Sequence, residues 1–168
     1  YLLDHSEADA AVALPWNHDK IRQVSDIAVT RWDDTTLPAT FDPPRAPRPA
    51  QRAEPGINTE IALIYTSGTT SRPKGAIIDN DYAFAVGRVY ASHGGALTVR
   101  DGIERIFIPL PYFHVNSGIN TPALALLKGV CLIVPDRFHA ETWWNDLAAT
   151  RATAIHYLGI IPPVLMKA

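Results

Sequence analysis

Downstream of residue 57 the chain alternates between short, nearly continuous apolar runs and segments whose apolar positions recur at helical spacing. Ile61-Ala62-Leu63-Ile64-Tyr65, Ala76-Ile77-Ile78, Ile103 to Leu110, Val130 to Val134 and Ala154 to Leu158 are the runs, and each predicts a strand. Helices are predicted between them. Asp79 is a suitable N-cap and Asp81 lies in the first turn of a helix that Gly94-Gly95 stops. Ile119 to Leu127 reads as a second helix, closed by Gly129, and Ala140 to Thr150 as an amphipathic third carrying Trp143, Trp144 and Leu147. Strands without polar alternation, separated by helices, indicate a sheet covered on both faces. The expected fold class is therefore α/β, a mainly parallel sheet flanked by helices.

The front of the chain is patterned less clearly. Tyr1 to Leu14 reads as the end of a helix, a turn near His5-Ser6-Glu7 and a short strand from Ala10, with a second strand near Ile27 to Thr30. From Asp42 to Gly56 the proline density excludes regular structure and suggests an extended connector, with a proline-motif ligand as the alternative. The expected organisation is an N-terminal α/β segment over 1–41, the connector over 42–56 and an α/β core over 57–168. The chain opens at Tyr1 without methionine and closes at Ala168 without a polar tail, which reads as a piece of a longer protein.

Composition narrows the classes of function. With 47% hydrophobic and 19% charged residues, the 168 residues can bury a real core. A net charge of −2, with no basic cluster interleaved with aromatics, gives no case for nucleic acid. No apolar run is long enough for an integral membrane segment, and no cationic leader precedes one, so a cytoplasmic setting is the default expectation. The single Cys131, inside Val130 to Val134, is expected to be a buried strand residue. His5, His18, His93, His139 and His156 are scattered without metal-ligand spacing, so no protein-built metal site is expected, and Trp143-Trp144 reads as helix packing.

Candidate chemistry concentrates in Thr66-Ser67-Gly68-Thr69-Thr70-Ser71-Arg72-Pro73-Lys74-Gly75, directly after the first strand of the core. Small residues let backbone N–H groups approach an anion, hydroxyls add neutral donors and Lys74 adds a mobile cation, so the run suits a polyphosphate such as ATP. A Walker loop would begin correctly at Gly68 and reach Lys74 with the right spacing. It then fails, because Pro73 replaces its second glycine and Gly75 its magnesium-binding hydroxyl. The bland alternative is a hydroxyl-rich surface turn. Downstream, the segment Pro109-Leu110-Pro111-Tyr112-Phe113-His114-Val115-Asn116 sets a histidine among aromatics at a strand exit. His114 could hydrogen-bond a carboxylate and close an apolar pocket, or simply be satisfied at the strand end.

These two segments closely resemble the signature loop and the Pro-x-Phe-His segment of the adenylate-forming (AMP-binding) superfamily: acyl-CoA synthetases, luciferases and peptide-synthetase adenylation domains. Ser71 stands where glycine is usual and is similar to the form in carnitine/crotonobetaine-type CoA ligases. The resemblance implies part of the large N-terminal domain of such an enzyme, truncated at both ends relative to the family. It implies that Thr66, Ser67, Gly68, Thr69, Thr70, Ser71, Lys74 and Gly75 hold the nucleotide, with Lys74 and His114 acting in catalysis. His114, Val115 and Asn116 would border the acid, joined by Gly159 and Ile160, which could equally be no more than a strand end.

The implied activity is an ATP-dependent acid–CoA ligase that forms an acyl-adenylate with release of pyrophosphate and then passes the acyl group to coenzyme A. ATP, Mg2+ arriving with it, coenzyme A and a small carboxylic acid are the implied ligands. The alternatives are a peptide-synthetase adenylation domain that loads a carrier protein, and a non-catalytic nucleotide-binding protein. The later family elements, including the catalytic lysine of the small domain, do not occur within these residues, so this stretch alone is expected to be inactive.

Overall fold

Five consecutive residues, Ile106 to Leu110, are buried, Ile108 completely, and the fold of the larger part of the chain is arranged to cover them. The computed structural model describes residues 1–31, 54–66 and 72–167. Two compact units divide the chain, Tyr1–Pro55 and Gly56–Ala168. The prolines from 43 to 49 and the loop residues Ser67 to Ser71 lie outside the described residues.

The first unit is a small βαβ arrangement. After a short helix α1 (Leu2–His5), β1 (Ala10–Ala13) and β2 (Ala28–Arg31) pair in parallel, Ala10 opposite Ala28 and Ala13 opposite Arg31, joined through α2 (Pro15–Arg22). The sequence reading anticipates both strands but not α2. That helix begins with Pro15 at its first turn, where a missing N–H costs nothing.

The second unit opens with an antiparallel hairpin of β3 (Glu60–Thr66) and β4 (Lys74–Asp79). The strands are those expected, but their direction is a correction within a mainly parallel fold. A connection as short as 67–73 can only reverse the chain, since a parallel crossover needs a dozen residues or more. Helix α3 (Asn80–Ala91) follows at once, and Asp79 caps it by accepting from Tyr82 N at 2.8 Å.

A three-stranded parallel sheet in the order β6-β5-β7 completes the unit, with β5 (Arg105–Phe107), β6 (Cys131–Ile133) and β7 (Ala154–Ile155). Its crossovers are α4 (Thr121–Lys128), which ends on Gly129 in the left-handed conformation at φ 60°, and α5 (Trp143–Thr150); α6 (Ile161–Leu165) closes the chain. Phe107, Ile108, Leu110, Trp143 and Ile161 form the core, with Phe107 and Phe138 meeting Trp143 edge-on at 5.6 and 5.4 Å.

Two expectations change here. Trp143 is 3% exposed but Trp144 is 70% exposed, because neighbours about 100° apart on a helix cannot share one face. Cys131 is exposed, since β6 lies at the sheet edge.

Two local devices position the loops. At the amino ends of the strands Glu104, itself buried, accepts from Arg100 Nε at 2.5 Å and from Thr153 Oγ1, while Thr153 Oγ1 accepts from Arg105 N at 2.9 Å. At the carboxyl ends a π-turn, Asn116–Asn120, leads into α4. Fully buried Ser117 donates to the Pro111 carbonyl, and Gly118 N donates to His114 O at 2.8 Å. A Cβ on Gly118 would lie 2.3 Å from the Tyr112 carbonyl oxygen, so only glycine fits this turn.

Both devices are testable. Gly118→Ala must displace backbone and is expected to cost about 1–3 kcal/mol in urea unfolding; wild-type stability would show that the Tyr112 contact does not set the turn. The Arg100 and Thr153 hydrogen bonds lower the Glu104 pKa from 4.5 to about 2. A depressed folded-state pKa contributes stability that is complete above the unfolded value and is lost as pH falls. Stability should therefore decline between pH 4.5 and about 2, and Glu104→Gln should flatten that part of the profile in thermal unfolding.

Candidate functional site

The hairpin brings the two ends of the hydroxyl-rich loop together. Thr66 and Lys74 are register partners, followed by Tyr65 with Gly75 and Ile64 with Ala76. Thr66 and Lys74 are both exposed, so the cation and a hydroxyl stand side by side where the loop leaves the strands. Gly75 has a packing role of its own: a Cβ there would lie 2.9 Å from Leu63 Cδ1 and 3.4 Å from the Tyr65 ring. This donor set, an ammonium and a hydroxyl beside a glycine, fits a phosphate group. Ser67, Gly68, Thr69, Thr70 and Ser71 lie outside the described residues.

His114 sits at the exit of the central strand, exposed, with its ring 4.6 Å from that of Phe113. Its backbone is fixed at both ends, by His114 N donating to Pro111 O at 3.0 Å and by Gly118 N. Val115 and Asn116 lead into the π-turn, half-buried. Asn120 Nδ2 donates to Asn116 Oδ1 at 2.9 Å, and the buried Asn120 Oδ1 has no partner. Whichever way both amides are turned, one polar atom of the Asn120 side chain stays unpaired.

The flanks of the two segments meet. A cleft of about 460 Å3 is lined on one side by Ala62, Ile64 and Tyr65 of β3 and on the other by Tyr112, Phe113 and Ile119. Parallel α/β sheets collect ligands beyond the carboxyl ends of their strands, and the His114 segment occupies that place in the sheet. Gly159 and Ile160 are less closely engaged. They lie on the turn before α6, exposed, Ile160 by 73%.

The side chain that sequence reasoning passed over is His156, directly after β7. Its Nδ1 is hydrogen-bonded to Thr121 Oγ1, and its ring meets that of Tyr90 edge-on at 5.6 Å. Thr121 Oγ1 also donates to Asn116 O at 2.8 Å. Burial lowers the His156 pKa and keeps the ring neutral. The only signal in the sequence was a histidine interrupting an apolar strand end, which reveals nothing of Thr121, 35 residues away. Among the described residues no cluster of histidine, cysteine and acidic side chains could hold a metal ion, and no helix is long and apolar enough to cross a membrane.

Comparison with known proteins places the chain in a family. Sulfoacetate–CoA ligase of Cupriavidus necator is 29% identical over 175 residues, an alignment covering 98% of this chain and 32% of that protein. Long-chain-fatty-acid–CoA ligase FadD13 of Mycobacterium tuberculosis is 30% identical over 112 residues, covering 67% of this chain and 21% of that one. The chain thus spans about a third or less of these relatives. The fold matches the inhibitor-bound N-terminal domain of FACL13 from Mycobacterium tuberculosis with a TM-score of 0.77 at 22% identity, over 99% of this chain and 42% of that domain. ATP-bound MatB from Rhodopseudomonas palustris matches at 0.76 and 20%, over 100% of this chain and 33% of that one. The model of the AMP-binding enzyme family covers residues 1–165, and the chain belongs to that family.

Proposed function

We propose that the protein to which this chain belongs is an ATP-dependent, AMP-forming carboxylic acid–CoA ligase. The observation that carries the reading is the shared cleft, which puts the strand entering the hydroxyl-rich loop against the His114 segment. Relatives named as CoA ligases for sulfoacetate and for long-chain fatty acids support it. In the first half-reaction a carboxylate oxygen attacks the α-phosphorus of ATP, the bond to the bridging oxygen breaks and pyrophosphate leaves. In the second, the thiol sulfur of coenzyme A attacks the acyl carbon, AMP departs and the thiol proton is released.

The chain's own residues supply position and charge in this scheme. Lys74, with Thr66, Ser67, Thr69 and Thr70, would hold the phosphates and offset the charge that develops on the departing pyrophosphate. Gly68 and Gly75 would let the backbone follow the anion closely, and Ser71 would add a hydroxyl donor. His114 would orient the carboxylate, with Val115 and Asn116 beside it and Gly159 and Ile160 farther out. Magnesium would arrive with ATP and supply further neutralisation of the phosphates. The cytoplasm, where ATP and coenzyme A are available, is the proposed setting.

Carboxylate-dependent exchange of pyrophosphate into ATP, measured on the full-length protein with a panel from short polar to fatty and aromatic acids, tests the reading. Exchange is expected with one acid class and is expected to fall roughly 100-fold in Lys74→Ala, the scale for losing one preorganised donor to the leaving group. A folded protein that binds ATP and exchanges with no acid would overturn the assignment. His114→Ala is expected to raise KM for the acid much more than KM for ATP, and equal effects on both would remove the carboxylate role from His114.

A further inference from the structure

The cleft between β3 and the turn after β5 has walls of one chemical kind. Ile64 and Tyr65 face Tyr112, Phe113 and Ile119 across it, and no residue of its lining carries a formal charge. These side chains are not closed off as the core is. Ile64, Tyr65 and Ile119 are half-buried, while Tyr112 is 46% and Phe113 74% exposed, so a ligand arriving from solvent can touch them. Desolvation raises the Tyr112 pKa, which keeps its hydroxyl neutral.

The polar residues of the adjoining turn are committed to one another. Fully buried Ser117 donates to the Pro111 carbonyl, Asn116 Oδ1 accepts from Asn120 Nδ2 at 2.9 Å, and none of the three side chains lines the cleft. Two charged or titratable groups stand at its margins. Lys74 is the register partner of Thr66, the residue after Tyr65, and lies outside the lining. His114 adjoins the opposite wall, its ring 4.6 Å from that of Phe113.

We infer that this cleft receives the acyl group of the acid and that the group is apolar: the substrates are monocarboxylates with an aromatic or aliphatic body and no second anionic group. The inference deepens the ligase reading and rests on it. With the carboxylate oriented by His114 and the phosphates held by Lys74, the cleft is the space whose walls adjoin both. Its volume of about 460 Å3 falls among ordinary small-molecule sites. A phenyl or short alkyl group entering it exchanges water for apolar contact, and a ring can also meet the three aromatic side chains edge-on. A second carboxylate or a sulfonate would lose hydration there and meet no cation among the described residues of the walls, which is the basis for its rejection. Adenine fits less well, because its edge requires hydrogen-bond partners and the only polar side chains in the lining are the two tyrosines.

The test measures pyrophosphate exchange by the full-length protein with 3-phenylpropanoate, hexanoate, succinate and sulfoacetate. Expected is a kcat/KM roughly tenfold or more higher for the first two than for the two dianions. Tyr112→Arg, which sets a cation into the wall at a half-exposed position, should bring that ratio toward one. Phe113→Ala, which removes apolar wall alone, should lower kcat/KM for 3-phenylpropanoate about tenfold and change it little for succinate. A dianion used as well as the apolar acids, or a preference that neither variant alters, would overturn the inference and leave the ligase reading standing.

A second readout needs no turnover. The 19F resonance of 3-(4-fluorophenyl)propanoate is expected to broaden on adding the full-length protein, and to sharpen again with excess 3-phenylpropanoate but not with succinate or adenosine. Broadening should weaken in Phe113→Ala. No broadening, or release by succinate or by adenosine, would overturn the inference. Exchange with no acid at all would defeat the ligase reading, and the 19F titration would still decide whether the cleft takes an apolar group.

Discussion

The burial of Ile106 to Leu110 is the constraint from which the second unit follows. A run with no polar alternation has no face to offer water, so it must be covered on both faces and paired on both edges. Fully burying one side chain such as Ile108 contributes about 1.5–3 kcal/mol, and several lie in sequence here. Flanking β5 with the parallel partners β6 and β7 meets the requirement. Parallel pairing in turn demands crossovers, and α4 and α5 are those crossovers. Every loop that leaves a strand forward then emerges at the same end of the sheet. The proximity of His156 to the turn after His114 is thus a consequence of how an apolar strand is hidden.

Much of this was legible because it rests on local chemistry. Asp79 caps its helix through its own side chain, Gly129 closes the next through a left-handed backbone, and the apolar runs mark the strand centres. What escaped depends on neighbours distant in sequence. Ile103 to Leu110 is apolar apart from Glu104 and Arg105, yet only Arg105–Phe107 finds ladder partners, because β6 and β7 are short. The edge position of β6 exposes Cys131, and an apolar run carries no mark of whether it lies at an edge or in the centre. The prolines near α6 argue against a helix in the sequence, although Pro162 and Pro163 sit in its first turn, where proline is tolerated.

The candidate site divides in the same way. Lys74 and His114 announce themselves by their surroundings in the sequence, a glycine-framed run of hydroxyls and an aromatic strand exit. The structure adds that the strand entering the first and the turn carrying the second line one cleft. His156 has no comparable local signature. Its hydrogen-bond partner is Thr121, which reads in the sequence as one polar residue at the start of an apolar helix. A hydrogen bond through the Thr121 hydroxyl to a residue 35 positions away cannot be seen in spacing or composition.

That hydroxyl also explains why so polar a turn is buried at all. Ser117 and Thr121 are fully enclosed and Asn120 nearly so, at the start of a helix that packs on an apolar sheet. Burying such groups costs free energy unless each finds a partner, and these are satisfied mainly by carbonyls of the adjoining turn, those of Pro111 and Asn116. An apolar version of the turn could pack as well but would have no reason to keep those carbonyls pointing inward. The polar set therefore trades stability for orientation. It pins the backbone on both sides of His114 and, through Thr121, holds the His156 ring in place. The one unpaired polar atom of the Asn120 side chain marks where that exchange is least complete.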